Sequence, residues 1–422
     1  MIEGTKIRFD IHNILYSIYK YNKTLNSNSI KKKINTHSKK DIAFLHNVTL
    51  NSMRFHFHTL KIIKKYIRKK IRDQEKILLI SAITQIVFLN FKEYAVINCS
   101  VEIAKKLKLY PGLINASLKN IAKNKKKLIN IEIKFDDFPN WFQKKTSFFS
   151  VLQKNKFIKN FNKEPDIHIV FKNKEKLEKF DEKLLRSSDV SGFLIDKKNI
   201  IDKKSFVDGE WWVQDFSSFF PLYCLKFNNM NEKFLDACAA PGGKSFQLLS
   251  RSINVTLNDK SSRRIKTLKS NLNRLKFNPK ILNNDFLKLD ENVKYDVIII
   301  DAPCSAVGTI RRNPEIFFKI AEPDFTQLDK LQKNMLEKAS ILLNKNGYII
   351  YMTCSFLKNE TEDQINRFLK KNDNFLLYNF KLSVKNSDYS KLIKNNFIIT
   401  LPDNILGHKI DGYFAAAIKK IK

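Results

Sequence analysis

The second half of the sequence alternates between short apolar segments and longer amphipathic ones, and this alternation limits the fold more than any other feature. The apolar segments have the length and composition of buried strands and lie at residues 234–238, 254–258, 279–283, 295–301 and 347–353. Stretches with helical periodicity lie between them, and the longest of these is 324–344. Strands of this kind that alternate with helices indicate a doubly wound, mostly parallel sheet. We therefore predict an α/β domain over residues 231–422.

The first 130 residues have a different pattern, with apolar residues at helical spacing and very few helix breakers. Gly4, Pro111 and Gly112 are the only glycines and prolines in this part, so we predict an all-α domain over residues 1–130. It carries 27 basic and 7 acidic residues, and the whole chain has a formal charge of +35. Such a surplus favours a polyanionic partner such as nucleic acid, although a biased genome composition would also enrich lysine.

One basic run in this domain, KIIKKYIRKKIR at residues 61–72, mixes basic and apolar positions. Its apolar side chains can pack while its basic ones form a continuous exposed face. The residues between the two larger parts, 131–230, combine a strand-like segment at 167–171 with an aromatic-rich stretch at 211–223. We predict a small α+β linker module there.

The cysteines and the apolar runs exclude several classes of protein. Cysteines occur at positions 99, 224, 238, 304 and 354, with no CxxC pair and no framework for disulfides. The histidines do not complete a metal site, so we expect none. The first residues lack the apolar stretch of a signal peptide, and the longest apolar run, 77–89, is too short for a membrane span. We expect a cytoplasmic protein without membrane contact.

The loop after the first predicted strand, DACAAPGGKS at residues 236–245, has the features of a ligand-binding turn. Its glycines open a helix at the carboxyl end of a strand, where backbone N–H groups can face an anionic group. A phosphate loop would need glycine five positions before Gly243, where Cys238 stands, and a GxGxxG motif is also absent. S-adenosylmethionine, which carries a carboxylate, remains as the third interpretation.

Two acids that follow the next strands support a nucleoside ligand. Asp259 lies 23 residues after Asp236, which is where a carboxylate commonly binds a ribose hydroxyl. Asp285 follows the third strand and can reach the adenine side of the same crevice. Each acid alone is more often a turn residue, but together with the glycine loop they favour the cofactor interpretation.

Two cysteine motifs follow the last two predicted strands, DAPCSAVGTIRRNP at 301–314 and TCS at 353–355. A single buried cysteine is usually a small core residue. Two cysteines beside one cofactor crevice favour covalent catalysis by an activated thiol. Cytosine C5 is a poor nucleophile, and thiolate addition at C6 converts the ring into an enamine whose C5 can attack a methyl sulfonium.

These motifs resemble those of the RNA cytosine-C5 methyltransferases of the Sun/RsmB (Nop2/NSUN-like) family. The first domain is similar to NusB-type RNA-binding domains through DIAFLHNVTLNSMR, AVINCSVEIAKKL and YPGLINASLKNIAK. FPNWFQKK (138–145) and WWVQDFSS (211–218) also fit the family. The resemblance implies a NusB-like domain at 1–130, a linker module at 131–230 and a Rossmann-like class I methyltransferase domain at 231–422. It implies S-adenosylmethionine as cofactor and small-subunit ribosomal RNA as partner, and we expect a monomer.

The resemblance also implies a role for each motif residue. The adenosylmethionine loop would consist of Cys238, Ala239, Ala240, Pro241, Gly242, Gly243 and Lys244. Asp259 and Asp285 would contact ribose and adenine, and Asp301 would line the pocket near the methyl group and the cytosine. Cys354 would be the nucleophile, and Cys304 would help to break the covalent adduct. DNA cytosine methyltransferases place the nucleophile at the position of Cys304, so the presence of Cys354 favours the RNA family.

Three alternatives remain from the sequence. The same chemistry could act on tRNA, because the catalytic motifs do not identify the RNA. The chain could be a NusB-like RNA-binding or assembly factor with a decayed catalytic domain, although the intact loop and both cysteines argue against decay. A small-molecule methyltransferase would not need the basic helical domain.

Overall fold

The computed structural model describes residues 4–196, 200–225, 232–380 and 387–422. In chain order its helices are α1 (Thr5–Tyr21), α2 (Asn28–Ile34), α3 (Lys39–Arg54), α4 (His56–Tyr66), α5 (Asp73–Ile83), α6 (Glu93–Lys106), α7 (Pro111–Lys123), α8 (Lys125–Leu128), α9 (Asn140–Lys145), α10 (Val151–Asn160), α11 (Lys174–Glu178), α12 (Lys204–Val207), α13 (Phe216–Tyr223), α14 (Gly243–Leu249), α15 (Ser262–Arg274), α16 (Glu315–Phe318), α17 (Phe325–Leu342), α18 (Glu362–Lys371) and α19 (Ser387–Ser390).

The strands, again in chain order, are β1 (His168–Phe171), β2 (Leu184–Arg186), β3 (Ser191–Leu194), β4 (Trp211–Val213), β5 (Phe234–Asp236), β6 (Val255–Asn258), β7 (Ile281–Leu282), β8 (Tyr295–Asp301), β9 (Leu343–Thr353), β10 (Phe375–Tyr378), β11 (Ile393–Lys394), β12 (Phe397–Thr400), β13 (Asp403–Ile405), β14 (His408–Ile410) and β15 (Tyr413–Lys420). A π-helical turn, Thr84–Phe88, continues α5, and short 3₁₀ helices include Phe286–Lys288, Val307–Thr309 and Lys358–Glu360.

The chain divides into two compact units, and each is made of two pieces of sequence. The helical unit consists of Met1–Lys163 and Ile310–Glu322, and the sheet unit consists of Glu164–Thr309 and Pro323–Lys422. The predicted boundary at residues 230 and 231 lies outside the described residues. Residues 131–163 and 164–230 fall in different units, and the division into three domains stays a prediction.

The helical unit is built around α5, whose residues from Ile77 to Ile83 are all buried. A helix that is apolar on every side belongs in the centre of a bundle, and α5 packs against α1, α4, α6 and α7. The long apolar run noted in the sequence is therefore a core helix. In the basic run 61–72, Ile62, Ile63 and Ile67 are buried while Lys64 and Lys65 are exposed. The predicted all-α fold is confirmed for residues 4–130, the part of this domain that the structure describes.

Three histidines are buried in this unit, and we refer to them as the three buried histidines: His12, His56 and His58. Burial disfavours the charged imidazolium, so it lowers the pKa of His12 and of His58 to about 4 and that of His56 to about 3. Nearby lysine charges lower the pKa of His56 and His58 further. All three rings are therefore neutral near pH 7.

A short segment from the second half of the sequence completes the helical unit. After β8 the chain leaves the sheet unit at Thr309, contributes residues 310–322 to the helical unit and returns at Pro323. Within that segment α16 packs against α1 and α3, and Phe318 is buried in the same hydrophobic core as Ile11 and Leu15.

The sheet unit contains a sheet with strand order β11-β12-β15-β9-β8-β5-β6-β7, and β10 also pairs with β15. The strands β9, β8, β5, β6 and β7 are parallel to one another, as the sequence predicts. The chain passes from β5 to β6 and β7 on one side, then places β8 and β9 on the other side of β5. Ligands in such sheets bind beyond the carboxyl ends of the strands at this reversal.

The C-terminal strands were not among the sequence predictions. Strand β15 pairs antiparallel with β9 on one side and with β12 on the other, so it is inside the sheet. The predicted helix 324–344 ends at Leu342, because Leu343 pairs with Tyr295 in the sheet. A separate antiparallel sheet, ordered β2-β3-β1-β4, contains the predicted strand at 167–171 as β1. No helix among the described residues is both long enough and apolar enough to cross a membrane.

Candidate active site

The loop between β5 and α14 follows the predicted motif 236–245 and is fixed by its own residues. Asp236 is buried and accepts hydrogen bonds from Ser245 Oγ at 2.6 Å and from the Cys238 N–H at 3.3 Å. Burial raises the pKa of Asp236 to about 6. The peptide bond between Ala240 and Pro241 is cis.

Gly242 has a φ of 121°, a backbone conformation that favours glycine. A Cβ atom at this position would lie 2.0 Å from a ring carbon of Phe246. The turn before α14 therefore needs glycine for conformational and for steric reasons. Ala239 is held by a 2.8 Å bond from its N–H to the Asn258 carbonyl oxygen, and α14 begins at Gly243.

A cleft lies beside this loop, at the carboxyl ends of β5, β6 and β8. It contains three of the predicted cofactor residues, Cys238, Asp259 and Asp285. Its other lining residues combine an apolar wall with two basic side chains and are Ala237, Lys260, Arg264, Phe286, Leu287, Pro303, Leu331 and Met335. The chemistry of the lining suits a nucleoside, which needs an apolar surface for its base and acceptors for its hydroxyl groups.

Asp259, at the end of β6, both supports the loop and lines the cleft. It is only 2% exposed, and its carboxylate accepts from the Ala240 N–H at 3.3 Å and from the Ser261 N–H at 2.9 Å. Arg264 forms an ion pair with it at 3.3 Å. Asp285 is half-buried, and it accepts from the Leu287 N–H at 3.1 Å.

Of the predicted loop residues only Cys238 lines this cleft, and neither the residues from Ala239 to Gly243 nor Lys244 do so. The Nζ of Lys244 lies 2.8 Å from Asp301 Oδ2 at the end of β8, and the Tyr413 hydroxyl donates to Asp301 Oδ1 at 3.0 Å. The lysine is 13% exposed. Burial by itself lowers the pKa of Lys244, but the charge of Asp301 and smaller effects that include Cys354 raise the net pKa. Lys244 is therefore a stable ammonium group.

The two predicted catalytic cysteines are brought together. Cys304 follows β8 and Cys354 follows β9, and their sulfur atoms are 3.3 Å apart. The two loops also contact each other through the Gly308 N–H, which donates to the Cys354 carbonyl oxygen at 3.0 Å. The hydrogen bond with Cys354 and burial raise the pKa of Cys304 well above its usual value, with a smaller effect of the Glu360 charge. Cys304 is therefore a protonated thiol.

Comparison with protein families identifies this arrangement. Residues 222–419 match the family model of the 16S rRNA methyltransferases RsmB/F, and residues 6–123 match that of the NusB family. The chain contains an RsmB/F methyltransferase domain and a NusB domain. The first match covers the large sheet and the cleft, and the second covers the greater part of the helical unit. The chain therefore combines a NusB-like helical domain with a Rossmann-like methyltransferase fold.

Known relatives match this chain over different shares of their length. Ribosomal RNA small subunit methyltransferase B of Shewanella oneidensis is 29% identical over 355 residues, which are 79% of this chain and 82% of the relative. The 25S rRNA (cytosine-C(5))-methyltransferase nop2 of Schizosaccharomyces pombe is 32% identical over 232 residues, 51% of this chain and 38% of the relative.

Solved structures resemble the fold at lower sequence identity. The crystal structure of PH0851 has a TM-score of 0.72 at 20% identity and covers 100% of this chain and 99% of its own. The structure of NSun6 from Pyrococcus horikoshii with SFG has a TM-score of 0.57 at 19% identity and covers 68% of this chain and 99% of its own.

Several residues of the candidate site were not predicted from the sequence. Tyr413 lies in β15, far along the sequence from every motif, and only the antiparallel pairing of β15 with β9 brings it to Asp301. Arg264 and Glu360 reach the site from α15 and from the 3₁₀ helix after β9. Glu360 could have been noticed as an acid six residues after Cys354. In the described part of the chain no group of three metal-ligating side chains is arranged to hold an ion.

Proposed function

We propose that this chain transfers a methyl group from S-adenosylmethionine to C5 of a cytosine in 16S ribosomal RNA through a covalent bond between Cys354 and C6. The observation that carries the proposal is the pair of sulfur atoms 3.3 Å apart, on the loops after two adjacent strands, next to a cleft suited to a nucleoside. The match to the RsmB/F family model and the nop2 relative support the base and the ring position.

The cleft fits the nucleoside part of the proposed cofactor. Asp259 and Asp285 bring carboxylate oxygens to a cleft that is also lined by Phe286, Leu331 and Met335. We assign the ribose hydroxyl groups to Asp259 and the adenine side to Asp285, and the loop 238–243 borders the remainder of the molecule. When bound, S-adenosylmethionine supplies the electrophilic methyl group.

Lys244 and Asp301 act next to the reacting ring in this proposal. The predicted role of Lys244 as a loop contact to the cofactor is modified, because its ammonium group is bound to Asp301 and interacts electrostatically with Cys354. An ammonium group in a half-buried site stabilises a neighbouring thiolate. Asp301, held by Lys244 and Tyr413, is a fixed acceptor at the end of β8 for the polar edge of the cytosine.

Cys354 and Cys304 take successive steps. The Cys354 thiolate forms the bond to C6, and the electron pair of the C5–C6 double bond becomes available at C5. After C5 has gained its methyl group, its proton must leave. The electrons of the C5–H bond then restore the double bond while the S–C6 bond breaks and its pair returns to Cys354. We assign Cys304 to this second step, in which its thiol protonates the departing sulfur and its own sulfur accepts the C5 proton.

The test is methylation of defined RNA by the purified chain. Unmodified 16S ribosomal RNA and assembled small subunits would each be incubated with methyl-labelled S-adenosylmethionine, and the products read by bisulfite sequencing and nucleoside mass spectrometry. We expect 5-methylcytosine at one position of 16S ribosomal RNA. Methylation of tRNA instead, or label at a nitrogen or ribose oxygen, would contradict the proposal.

A further inference from the structure

The two cysteine loops share a carboxylate that the proposed reaction does not use. Glu360, in the 3₁₀ helix after β9, is 0% exposed. Its Oε1 accepts from the Ser305 N–H at 2.7 Å and from Gln332 Nε2 at 3.4 Å. Its Oε2 accepts from Ser305 Oγ at 2.5 Å and from Ser355 Oγ at 2.6 Å. A buried carboxylate is costly unless it is bonded in this way.

The two serines that bind Glu360 are sequence neighbours of the two cysteines. Ser305 directly follows Cys304, and Ser355 directly follows Cys354. Glu360 therefore binds the residue after each cysteine with one carboxylate group, and both serine hydroxyls meet at a single oxygen. Its main chain is fixed as well, because the Tyr351 hydroxyl donates to the Glu360 carbonyl oxygen at 3.0 Å.

We propose that Glu360 is a positioning residue that holds the loops of Cys304 and Cys354 in register, so that the two sulfur atoms stay in contact throughout the catalytic cycle. The inference rests on the proposed function and extends it to a residue that contacts neither sulfur nor substrate. Addition at C6 and its reversal need two thiols on one base, and a displacement of about 1 Å can cost about 100-fold in rate.

The bond pattern separates this role from acid–base catalysis. Both carboxylate oxygens of Glu360 are directed at serine and glutamine donors, and none of its surface is accessible. A glutamine could keep the same shape, with Oε1 accepting from the Ser305 N–H and Nε2 donating to the two hydroxyls, which can turn to accept. A positioning role therefore tolerates Glu360→Gln, whereas a role that needs the proton or the charge does not.

The first arm of the test measures how fast the two thiols form a disulfide in the protein alone, without RNA or cofactor. This rate reports whether the two sulfur atoms are held within reach of each other. Diamide, which is reduced as it converts two thiols into a disulfide, would be added to the full chain, and the Cys304–Cys354 disulfide followed by peptide mass spectrometry. We expect Glu360→Ala to slow disulfide formation by about 10- to 100-fold. Glu360→Gln should remain within about threefold of the unsubstituted chain, because its bonds are retained.

The second arm measures the reaction in the same variants. Glu360→Ala should lower kcat for RNA methylation by about 10- to 100-fold with an unchanged KM for S-adenosylmethionine, and Glu360→Gln should restore most of it. Glu75→Gln is the matched control, because Glu75 is a buried carboxylate bonded to the Arg72 and Tyr110 N–H groups in the helical unit. That variant should not change the disulfide rate.

The outcomes separate the two hypotheses. If the unsubstituted chain does not methylate cytosine, the proposed function fails, and the diamide arm still decides the role of Glu360. A Glu360→Ala chain that forms the disulfide at the normal rate overturns the positioning role, and so does a Glu360→Gln chain that is as slow as Glu360→Ala. Should Glu360→Ala fail to fold, Ser305→Ala and Ser355→Ala each remove one hydroxyl bond, and both are expected to slow the disulfide severalfold.

Discussion

Substitution of Phe318 by alanine should lower the free energy of unfolding of the helical unit, although this residue lies in the half of the sequence that forms the methyltransferase domain. Phe318 is 0% exposed in the core of the helical unit. Its ring meets Tyr19 edge-on with the centroids 5.7 Å apart and His56 at 4.9 Å. Removing a phenylalanine from a core costs about 3–5 kcal/mol of unfolding free energy. The two edge-on contacts favour the upper part of that range, since each adds about 0.5–1.5 kcal/mol.

The expected change is large enough to measure in the intact chain. For a unit of this size each kcal/mol lowers the melting temperature by about 2–4 °C, so the helical unit should melt roughly 6–20 °C lower. Hydrogen exchange followed by mass spectrometry would report each unit separately. Protection should fall in α1 and α3, which pack against α16, and should be retained in β5 and β8.

A surface phenylalanine of the same unit provides the control. Phe148 is 38% exposed, and Phe148→Ala should change the unfolding free energy by less than about 1 kcal/mol. If Phe318→Ala left exchange in α1 and α3 unchanged, residues 310–322 would not be part of the helical core. A deletion of residues 1–130 would remove the core that surrounds Phe318, so RNA binding by the helical domain is better tested by surface substitutions.

Four further predictions concern chemistry, cofactor, acid stability and RNA. Cys354→Ala should abolish methylation without an adduct, whereas Cys304→Ala should accumulate a covalent enzyme–RNA band on a denaturing gel; the reverse pattern would make Cys304 the nucleophile. Asp259→Ala should weaken S-adenosylmethionine binding by about 1–3 kcal/mol in calorimetry with RNA affinity unchanged, and normal binding would leave Asp259 a loop-supporting residue only. The three buried histidines have lowered pKa values in the folded state, so they bind protons less readily there than in the unfolded chain. The free energy of unfolding should therefore be unaffected by them above pH 6.5 and should fall toward pH 4, by about 1.4 kcal/mol per pH unit for each histidine. A flat acid-unfolding profile would contradict this. Replacing the exposed basic residues of the run 61–72 with glutamine should lower RNA affinity. The slope of log binding constant against log salt concentration should become shallower by about 0.7 for each single-strand phosphate contact that is lost. An unchanged slope would exclude that face as an RNA-binding surface.

The parallel part of the sheet was predictable because its strands are buried on both faces. Strand β8, for example, carries the apolar run Val297–Ile300, every residue of which is 0% exposed. Such runs are visible in a sequence without knowledge of their neighbours. Strand β15 is equally buried, but its centre is Ala415–Ala417, and alanine has no preference for a strand. Its place between β9 and β12 depends on pairing with distant residues, which local composition does not encode.

The residues of the candidate site also differ in whether they could be predicted from local sequence. The loop 238–243, the acids and both cysteines could be predicted because each follows a strand whose position was predictable, and parallel strands end at one edge. Glu360 and Tyr413 could not, because their roles depend on which side chains lie opposite them across loops and strands. The membership of residues 310–322 in the helical unit was hidden for a related reason: a segment that leaves one unit and returns has no distinctive local pattern.

The charges around the two cysteines differ, and this difference supports the roles that we propose for them. Cys304 is a protonated thiol, because its bond to Cys354, burial and the charge of Glu360 all raise its pKa. Cys354 interacts with the ammonium group of Lys244, which Asp301 holds in place at 2.8 Å. An ammonium group and a thiol donor each stabilise a neighbouring thiolate. The raised pKa of Cys304 and the ammonium group that interacts with Cys354 support the proposed roles, in which Cys354 is the nucleophile and Cys304 keeps the proton that the elimination step requires.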